Sequence, residues 1–258
     1  MNTPIGIIDS GVGGLSIASV LIKNLPNESF IYLADSKNCP YGDRTQGEIY
    51  KLTKKMVDFL VQNKIKLLVI ACNTITVSGI DRLRKDFPKL PIVGIVPVIK
   101  TAVKESKNKK IGIFSTQATT KSNYQRELIN KFARNCQVIN IGSSGLVTLI
   151  ENLIFEDIDR VLKKELQEFK KNNIDVLALG CSHFPLIKKQ IQKYLPGVLI
   201  LDSSDAVCRQ VQRILKNNNL LSNSKIPSYN FYTTGDMKSL EFYIQKLTKR
   251  GKIERISL

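Results

Sequence analysis

Two cysteines, Cys72 and Cys181, each follow directly on a continuous apolar run of the chain. The runs span residues 67–71 and 176–180, and each is followed by a small polar cluster and then a helical pattern. Such a run predicts a buried parallel strand that delivers the cysteine at its carboxyl end. Because open α/β sheets bind ligands at that end, the two thiols could address one substrate from two sides.

These thiols could act as bases only if their surroundings favour the thiolate form, because only a few per cent of an unperturbed cysteine is thiolate at neutral pH. Helical patterns over 75–87 and 186–194 place both cysteines close to a helix N-terminus, which favours the anion. The same turns carry side chains that could cap a helix or bind a ligand carboxylate, namely Asn73, Thr74, Ser182 and His183.

Two further residues could move or hold a proton beside the thiols. His183 is the only histidine of the chain and lies two residues after Cys181, where it could act near neutral pH. Asp9 ends the first apolar run and could serve as a base or orient a substrate ammonium group. For Asp9, a role as an N-cap or turn residue is an equally open alternative.

A glycine-rich turn follows Asp9 and invites a dinucleotide interpretation. Gly11, Gly13 and Gly14 have the wrong spacing for GxGxxG, and the preceding carboxylate would repel a pyrophosphate. The chain also has no Walker sequence and no cluster of His, Cys and Asp with metal-ligand spacing. We therefore expect a tight turn near a small ligand, with no metal and no nucleotide cofactor.

Apolar runs alternate with amphipathic segments along the whole chain, which predicts a parallel α/β fold. The second half repeats the first: residues 5–10 align with 111–116, and Cys72 aligns with Cys181 at an offset of 181 − 72 = 109. Any α/β protein offers runs that slide into register, but a shared Ile-Gly-Ile start and a shared Leu-Pro favour a true repeat. The prediction is two pseudo-symmetric parallel-sheet domains, with the active site in the cleft between them.

The tail contains a helical pattern over 206–216 and a strand pattern over 230–233. We expect it to pack back onto the first half, which makes the first domain discontinuous. The predicted domains are residues 1–97 plus 207–258, and residues 98–206. A chain of 258 residues is long enough for either one large domain or two smaller ones.

The formal charge is +17, from 39 Lys and Arg against 22 Asp and Glu. Such a charge raises the question of nucleic acid, but the lysines are scattered and no aromatic platform interleaves with them. A solvated lysine-rich surface is the favoured interpretation. Without a long apolar span or a signal pattern, and with five cysteines in no disulfide framework, we expect a cytoplasmic protein that has no membrane partner.

Four motifs together resemble bacterial glutamate racemase, of the aspartate/glutamate racemase family. They are IIDSGVGGL at 7–15, PYG at 40–42, ACNT at 71–74 and LGCSHFP at 179–185. The resemblance implies a cofactor-independent enzyme that interconverts L- and D-glutamate and supplies D-glutamate for peptidoglycan. A related racemase for aspartate or another small acid is the nearest alternative, and a basic regulatory protein that binds DNA or a DNA enzyme is a different one.

By the same resemblance, Cys72 and Cys181 flank the α-carbon, with Asp9 helping the first thiol and His183 the second. Glu151 falls at the position of an auxiliary glutamate. The implied substrate contacts are Asp9, Ser10, Tyr41, Gly42, Asn73, Thr74, Thr116, Thr119, Ser182 and His183. The second cysteine motif departs from the commoner Cys-Thr-His-Tyr-Pro, because Ser182 and Phe184 replace threonine and tyrosine. Cys39, Cys136 and Cys208 are expected to be non-catalytic, and a homodimer is expected.

Overall fold

The computed structural model describes residues 3–95, 98–248 and 251–258. The strands are β1 (Ile5–Asp9), β2 (Phe30–Ala34), β3 (Leu67–Ile70), β4 (Ile92–Gly94), β5 (Lys110–Thr116), β6 (Gln137–Ser143), β7 (Val176–Gly180), β8 (Leu199–Leu201), β9 (Tyr229–Thr233) and β10 (Lys252–Arg255). The α-helices are α1 (Leu15–Asn24), α2 (Gln46–Gln62), α3 (Asn73–Asp86), α4 (Ile99–Glu105), α5 (Gln117–Lys121), α6 (Asn123–Phe132), α7 (Leu146–Glu151), α8 (Phe155–Glu165), α9 (Gln167–Lys171), α10 (Lys188–Tyr194), α11 (Ser204–Asn217) and α12 (Lys238–Leu247). Short 3₁₀ helices span Ser36–Asn38 and Phe184–Ile187.

The chain divides into two compact units. Unit 1 comprises Met1–Ile95 and Ser204–Leu258, and unit 2 comprises Val96–Ser203. The tail therefore returns to the first unit, and the boundaries lie 97 − 95 = 2 and 206 − 203 = 3 residues before the predicted ones. No helix among the described residues is long and apolar enough to cross a membrane.

Unit 1 is built on a six-stranded sheet with the order β10-β9-β2-β1-β3-β4, in which every pairing is parallel. Strands β1, β2 and β3 are buried along their whole length, as expected for a parallel sheet covered on both faces. Helix α2 begins with a capping box, in which the Thr45 hydroxyl accepts from the Glu48 amide and the Glu48 carboxylate accepts from the Thr45 amide.

Unit 2 has a four-stranded parallel sheet with the order β6-β5-β7-β8. This order repeats β2-β1-β3-β4 of unit 1, so β5 corresponds to β1 and β7 to β3. The strand glycines also correspond: Gly6 pairs with Leu68, and Gly112 pairs with Leu177. A Cβ at Gly6 would lie 2.9 Å from Ile65, and one at Gly112 would lie 2.6 Å from Ile174. Each glycine therefore leaves room for a neighbouring isoleucine side chain to pack closely against the strand.

The parallel arrangement of all ten described strands agrees with the alternating pattern in the sequence. One described strand was not predicted. Strand β10 reads Lys-Ile-Glu-Arg, is mostly exposed, and forms the edge of the unit 1 sheet beside β9. Exposed edge strands commonly carry polar and charged residues. The sequence of β10 therefore lacks the apolar signal of the buried strands.

Candidate active site

Cys72 lies between the end of β3 and the start of α3, at the carboxyl end of the unit 1 sheet. It is the N-cap residue of α3, has extended backbone angles, and is 4% exposed. The backbone amides of Ile75 and Ser10 both donate toward its sulfur. The predicted position of this thiol, at a strand end and a helix start, is therefore the one that the structure shows.

Asp9 and Ser10 lie beside Cys72 because β1 and β3 are neighbours in the sheet. The buried Asp9 carboxylate accepts from the Ser10 hydroxyl at 3.1 Å and from the Gly11 amide at 3.1 Å. The Ser10 Oγ also lies 3.6 Å from the Cys72 Sγ. Ser10 thus connects the thiol to the carboxylate within one unit.

Gly14 allows helix α1 to begin directly against this cluster. A Cβ built on Gly14 would lie 2.8 Å from the Asp9 Oδ2 and 2.8 Å from the Ala71 Cβ. Any side chain would push α1 away from the carboxylate. The glycine-rich turn therefore serves a close approach of backbone to Asp9, in agreement with the expected tight turn.

Burial raises the pKa of the Cys72 thiol from its ordinary value of 9.0 to about 12. The Asp9 carboxylate is the second cause, because a thiolate beside it would be a like charge. The donors from Ile75 and Ser10 act in the opposite direction and are the weaker influence. The amide at the helix N-terminus favours the thiolate, as expected, but burial and Asp9 outweigh it.

Tyr41 is buried, and its hydroxyl donates to the Asp35 Oδ2 at 2.5 Å. Its pKa is raised, first by burial and then by Asp35, and Cys72 adds to the increase, which places the phenol in the electrostatic surroundings of that thiol. Gly42 follows in a half-buried turn. The predicted substrate contact of Tyr41 and Gly42 stays a prediction, and the structure shows that the phenol has an internal partner.

Asp35 is a residue of this site that the sequence analysis missed. Its carboxylate accepts from Tyr41, from the Thr234 hydroxyl at 2.6 Å and from the Asn38 side chain at 3.0 Å. Its amide donates to the Asp9 carbonyl at 3.0 Å. The available signal was its place directly after β2, which matches the place of Asp9 at the end of β1.

Asn73 and Thr74 are the half-buried first residues of α3.

Cys181 follows β7 in unit 2 and is 6% exposed. The predicted helix over 186–194 begins differently from α3: a 3₁₀ helix spans Phe184–Ile187, and α10 starts only at Lys188. Pro185 lacks an amide hydrogen and stands in the first turn of that 3₁₀ helix. Contrary to the expectation, no α-helix therefore begins beside Cys181. The partners of the Cys181 thiol are polar side chains.

His183 connects Cys181 to Glu151. Its Nε2 lies 2.5 Å from the Glu151 Oε1, and its Nδ1 lies 4.0 Å from the Cys181 Sγ and 3.5 Å from the Ser182 Oγ. With Nε2–H donating to the carboxylate, Nδ1 is the nitrogen able to accept a proton from the thiol. The structure thus brings these four predicted residues together in unit 2.

Thr116 and Thr119 lie at the carboxyl end of β5, which pairs with β7. The Thr116 hydroxyl accepts from the Thr119 amide at 3.3 Å, and the two hydroxyl oxygens are 3.0 Å apart. Thr116 occupies the place in unit 2 that Ser10 occupies in unit 1, and Ser115 occupies the place of Asp9. Neither threonine adds a charge, so the two units present different polar groups at equivalent strand ends.

Phe184, the departure in the second cysteine motif, is fully buried. Its ring centroid lies 4.6 Å from that of Phe114, which also contacts Phe169. The ring is part of an aromatic cluster beneath β5, so the side chain acts in packing.

None of the five cysteines, all in the described part of the chain, forms a disulfide, and burial raises the pKa of Cys208.

The family model described as Asp/Glu/Hydantoin racemase matches residues 5–211. A glutamate racemase of Clostridium kluyveri is 42% identical over 250 residues, which cover 95% of each chain. A glutamate racemase structure from Bacillus anthracis matches 99% of this chain and 98% of its own, with 32% identity and a TM-score of 0.88. The Escherichia coli glutamate racemase structure, in complex with L-glutamate and an activator, has the same coverage and TM-score at 30% identity. The predicted α/β class of two parallel-sheet domains is confirmed.

Proposed function

The chain belongs to the Asp/Glu/Hydantoin racemase family, and we propose that it interconverts L- and D-glutamate without a cofactor. The proposal rests on one observation. Each unit carries a cysteine at the end of the equivalent strand, and each of the two cysteines has its own hydrogen-bonded partners. The similarity to glutamate racemases along nearly the whole chain supports glutamate as the substrate. The reaction supplies D-glutamate for peptidoglycan.

Inversion of the α-carbon requires one group to remove the proton from one face and another to deliver a proton to the opposite face. A cysteine thiolate takes the α-proton, the C–H electron pair remains on a planar carbanion, and the thiol of the second cysteine donates its proton. Turnover leaves the two sulfurs with exchanged protonation states. The reverse reaction then starts from the state that the forward reaction leaves.

On the Cys72 side, the thiol must lose a proton although its pKa is about 12. Ser10 provides a short path, since the thiol can donate to the Ser10 hydroxyl while that hydroxyl donates to Asp9. A substrate ammonium group beside Asp9 would offset the carboxylate charge that is one of the two causes of the high pKa. Substrate binding then favours the thiolate only when it is needed.

On the Cys181 side, His183 holds the place of the proton acceptor. Glu151 orients its ring and stabilises the imidazolium that forms when Nδ1 takes the thiol proton. The hydroxyls and amides of Thr116, Thr119, Ser182, Asn73 and Thr74 are uncharged donors suited to substrate carboxylates. We assign Tyr41 and Gly42 to substrate binding as well.

The test follows the α-proton of each enantiomer in deuterated water with Cys72→Ser and Cys181→Ser variants. Both variants should lose racemisation, because each lacks one of the two proton carriers. Residual exchange without inversion should occur in opposite enantiomers, since each remaining thiol faces one side of the α-carbon. Cys136→Ser is the matched control and should racemise normally. Undiminished racemisation in either active-site variant would refute the two-thiol mechanism.

We further propose that the enzyme works in the cytoplasm as a homodimer. Free thiols at both catalytic positions suit a reducing compartment. Twofold-symmetric dimers are the commonest assembly among soluble homo-oligomers. Light scattering of the purified protein at several concentrations measures the assembly directly, and a constant monomer mass would reject the dimer.

A further inference from the structure

A pocket lies within unit 1, around the carboxyl ends of β2, β9 and β10. Its volume is about 280 Å³. Its walls come from four parts of the chain: the turn after β2, helix α2, the end of β9 and the segment that follows β10. The lining residues are Asp35, Lys37, Asn38, Leu52, Lys55, Thr234, Arg255, Ile256, Ser257 and Leu258.

Three cations line this pocket: Lys37, Lys55 and Arg255. Among the described residues none of the three forms an ion pair with an acidic side chain, whereas Lys252 of the same strand β10 pairs with Glu254 at 3.2 Å. Lys55 contacts the Leu258 carbonyl oxygen at 3.4 Å. The three cations therefore line a common pocket, and none of them has an acidic side chain as a partner among the described residues.

The one acidic side chain in the wall, Asp35, already has hydrogen-bond donors on the inner side of the pocket. It accepts from Tyr41, Thr234 and Asn38, and it is 2% exposed. Three positive side chains line the pocket against the internally hydrogen-bonded Asp35 carboxylate and the main-chain carboxyl of Leu258, the last residue of the sequence, so the pocket still has a net positive charge. Ser257 and the Asn38 amide add neutral hydrogen-bonding groups to the lining.

We propose that this pocket binds a phosphate group, either free phosphate or a small phosphate monoester. A dianionic tetrahedral group offers enough oxygens to engage an arginine fork and lysine ammonium groups at the same time, whereas a single carboxylate offers only two. The volume of about 280 Å³ leaves room for a phosphate together with a small substituent. The pocket shares Asp35 with the candidate active site, but its three cations take no part in the proposed racemase chemistry, so the phosphate proposal does not depend on that activity.

Binding is measured by isothermal titration with inorganic phosphate and, separately, with glycerol 3-phosphate, at ionic strength held constant with chloride. The full chain should bind one equivalent saturably, and its melting temperature should rise with ligand concentration by mass action. Arg255→Gln and Lys37→Gln should each raise Kd by roughly tenfold, the loss expected for one charge-assisted contact. Tighter binding of the ester would identify an ester as the occupant, and tighter binding of phosphate would identify the free ion.

Lys252→Gln is the matched control, because it removes one positive charge from the same strand outside the pocket. It should leave Kd unchanged, and the melting temperatures of all three variants in chloride alone establish that each is folded. The proposal is overturned if neither ligand binds saturably. It is also overturned if Lys252→Gln weakens binding as much as Arg255→Gln, since the general positive field would then explain the effect.

Discussion

The Nε2 of His183 lies 2.5 Å from the Oε1 of Glu151, and this contact decides which ring nitrogen faces a thiol. Because Nε2–H is held by the carboxylate, Nδ1 is directed to the side of Cys181 and Ser182. A lone histidine two residues after a cysteine thereby becomes a group with a defined proton-accepting atom.

Replacing Glu151 by glutamine should lower kcat/KM by about a hundredfold, within the range of general acid–base contributions. The amide can still bond the ring, but it no longer stabilises the imidazolium. Because the two enantiomers have equal free energies, the loss in kcat/KM must be equal in both directions. Circular dichroism of each enantiomer measures the rates. Glu156→Gln, at an exposed position of α8, is the control and should be silent; a silent Glu151→Gln would remove Glu151 from the mechanism.

Replacing Asp9 by asparagine should lower the pKa of Cys72, because the carboxylate charge is a cause of its elevation. The asparagine oxygen can keep the bonds from Ser10 and Gly11. The thiolate absorbance is titrated in the ultraviolet, with the Cys72→Ser protein as the subtraction standard. Racemisation should nevertheless fall, since the variant loses the proton acceptor and the ammonium partner. An unchanged pKa would show that Asp9 does not act on the thiol.

Cys72 should make the protein less stable at alkaline pH. Its pKa is about 12 in the fold and 9.0 when exposed, so the unfolded chain releases this proton first as pH rises. The stabilisation is complete below pH 9 and is lost between there and about pH 12, with a slope of at most about 1.4 kcal/mol per pH unit. Urea unfolding at several pH values should show a flatter dependence for Cys72→Ser. Parallel curves for the two proteins would contradict the elevated pKa.

The buried ion pair between Lys66 and Glu28 should anchor the tail segment of unit 1. Lys66 lies 2.5 Å from Glu28 and donates to the Leu220 carbonyl at 2.6 Å, and the Ser222 amide donates to Glu28 at 2.8 Å. Lys66→Met should cost about 3–5 kcal/mol of unfolding free energy, because it leaves a buried carboxylate without its cation.

The exposed pair of Lys54 and Asp58 provides the control for that experiment. Lys54→Met should cost less than about 1 kcal/mol, since water solvates both partners. Adding Glu28→Leu to Lys66→Met should recover much of the lost stability. Equal costs for Lys66→Met and Lys54→Met would mean that the buried pair has no special role.

Phe184→Tyr should destabilise the protein by about 1–3 kcal/mol, although tyrosine is the commoner residue of this motif. The ring is fully buried against Phe114, so the added hydroxyl would enter an aromatic cluster. Chemical denaturation measures the difference. Phe155→Tyr, on a ring that is 37% exposed, is the control and should be nearly neutral. Unchanged stability of Phe184→Tyr would indicate that the hydroxyl finds a partner.

Local signals were sufficient wherever a residue's role depends on its own strand. Runs of β-branched and aliphatic residues predicted the buried strands that end beside Asp9, Cys72 and Cys181, because parallel strands covered on both faces need continuous apolar sequence. The correspondence of Gly6 with Gly112 was visible as a shared Ile-Gly-Ile. Strand β10 had no such signal, since an exposed edge strand does not need apolar residues.

The sequence by itself determined the parallel α/β class, the internal repeat and the placement of two cysteines at strand ends, because each depends on patterns within short stretches. Only the tertiary structure decided the chemistry around those thiols. The pKa of Cys72 depends on burial and on Asp9, which is 72 − 9 = 63 residues away, and Glu151 reaches His183 across 183 − 151 = 32 residues. Desolvation and hydrogen bonding act between groups that folding brings together, so they leave no local pattern in the chain.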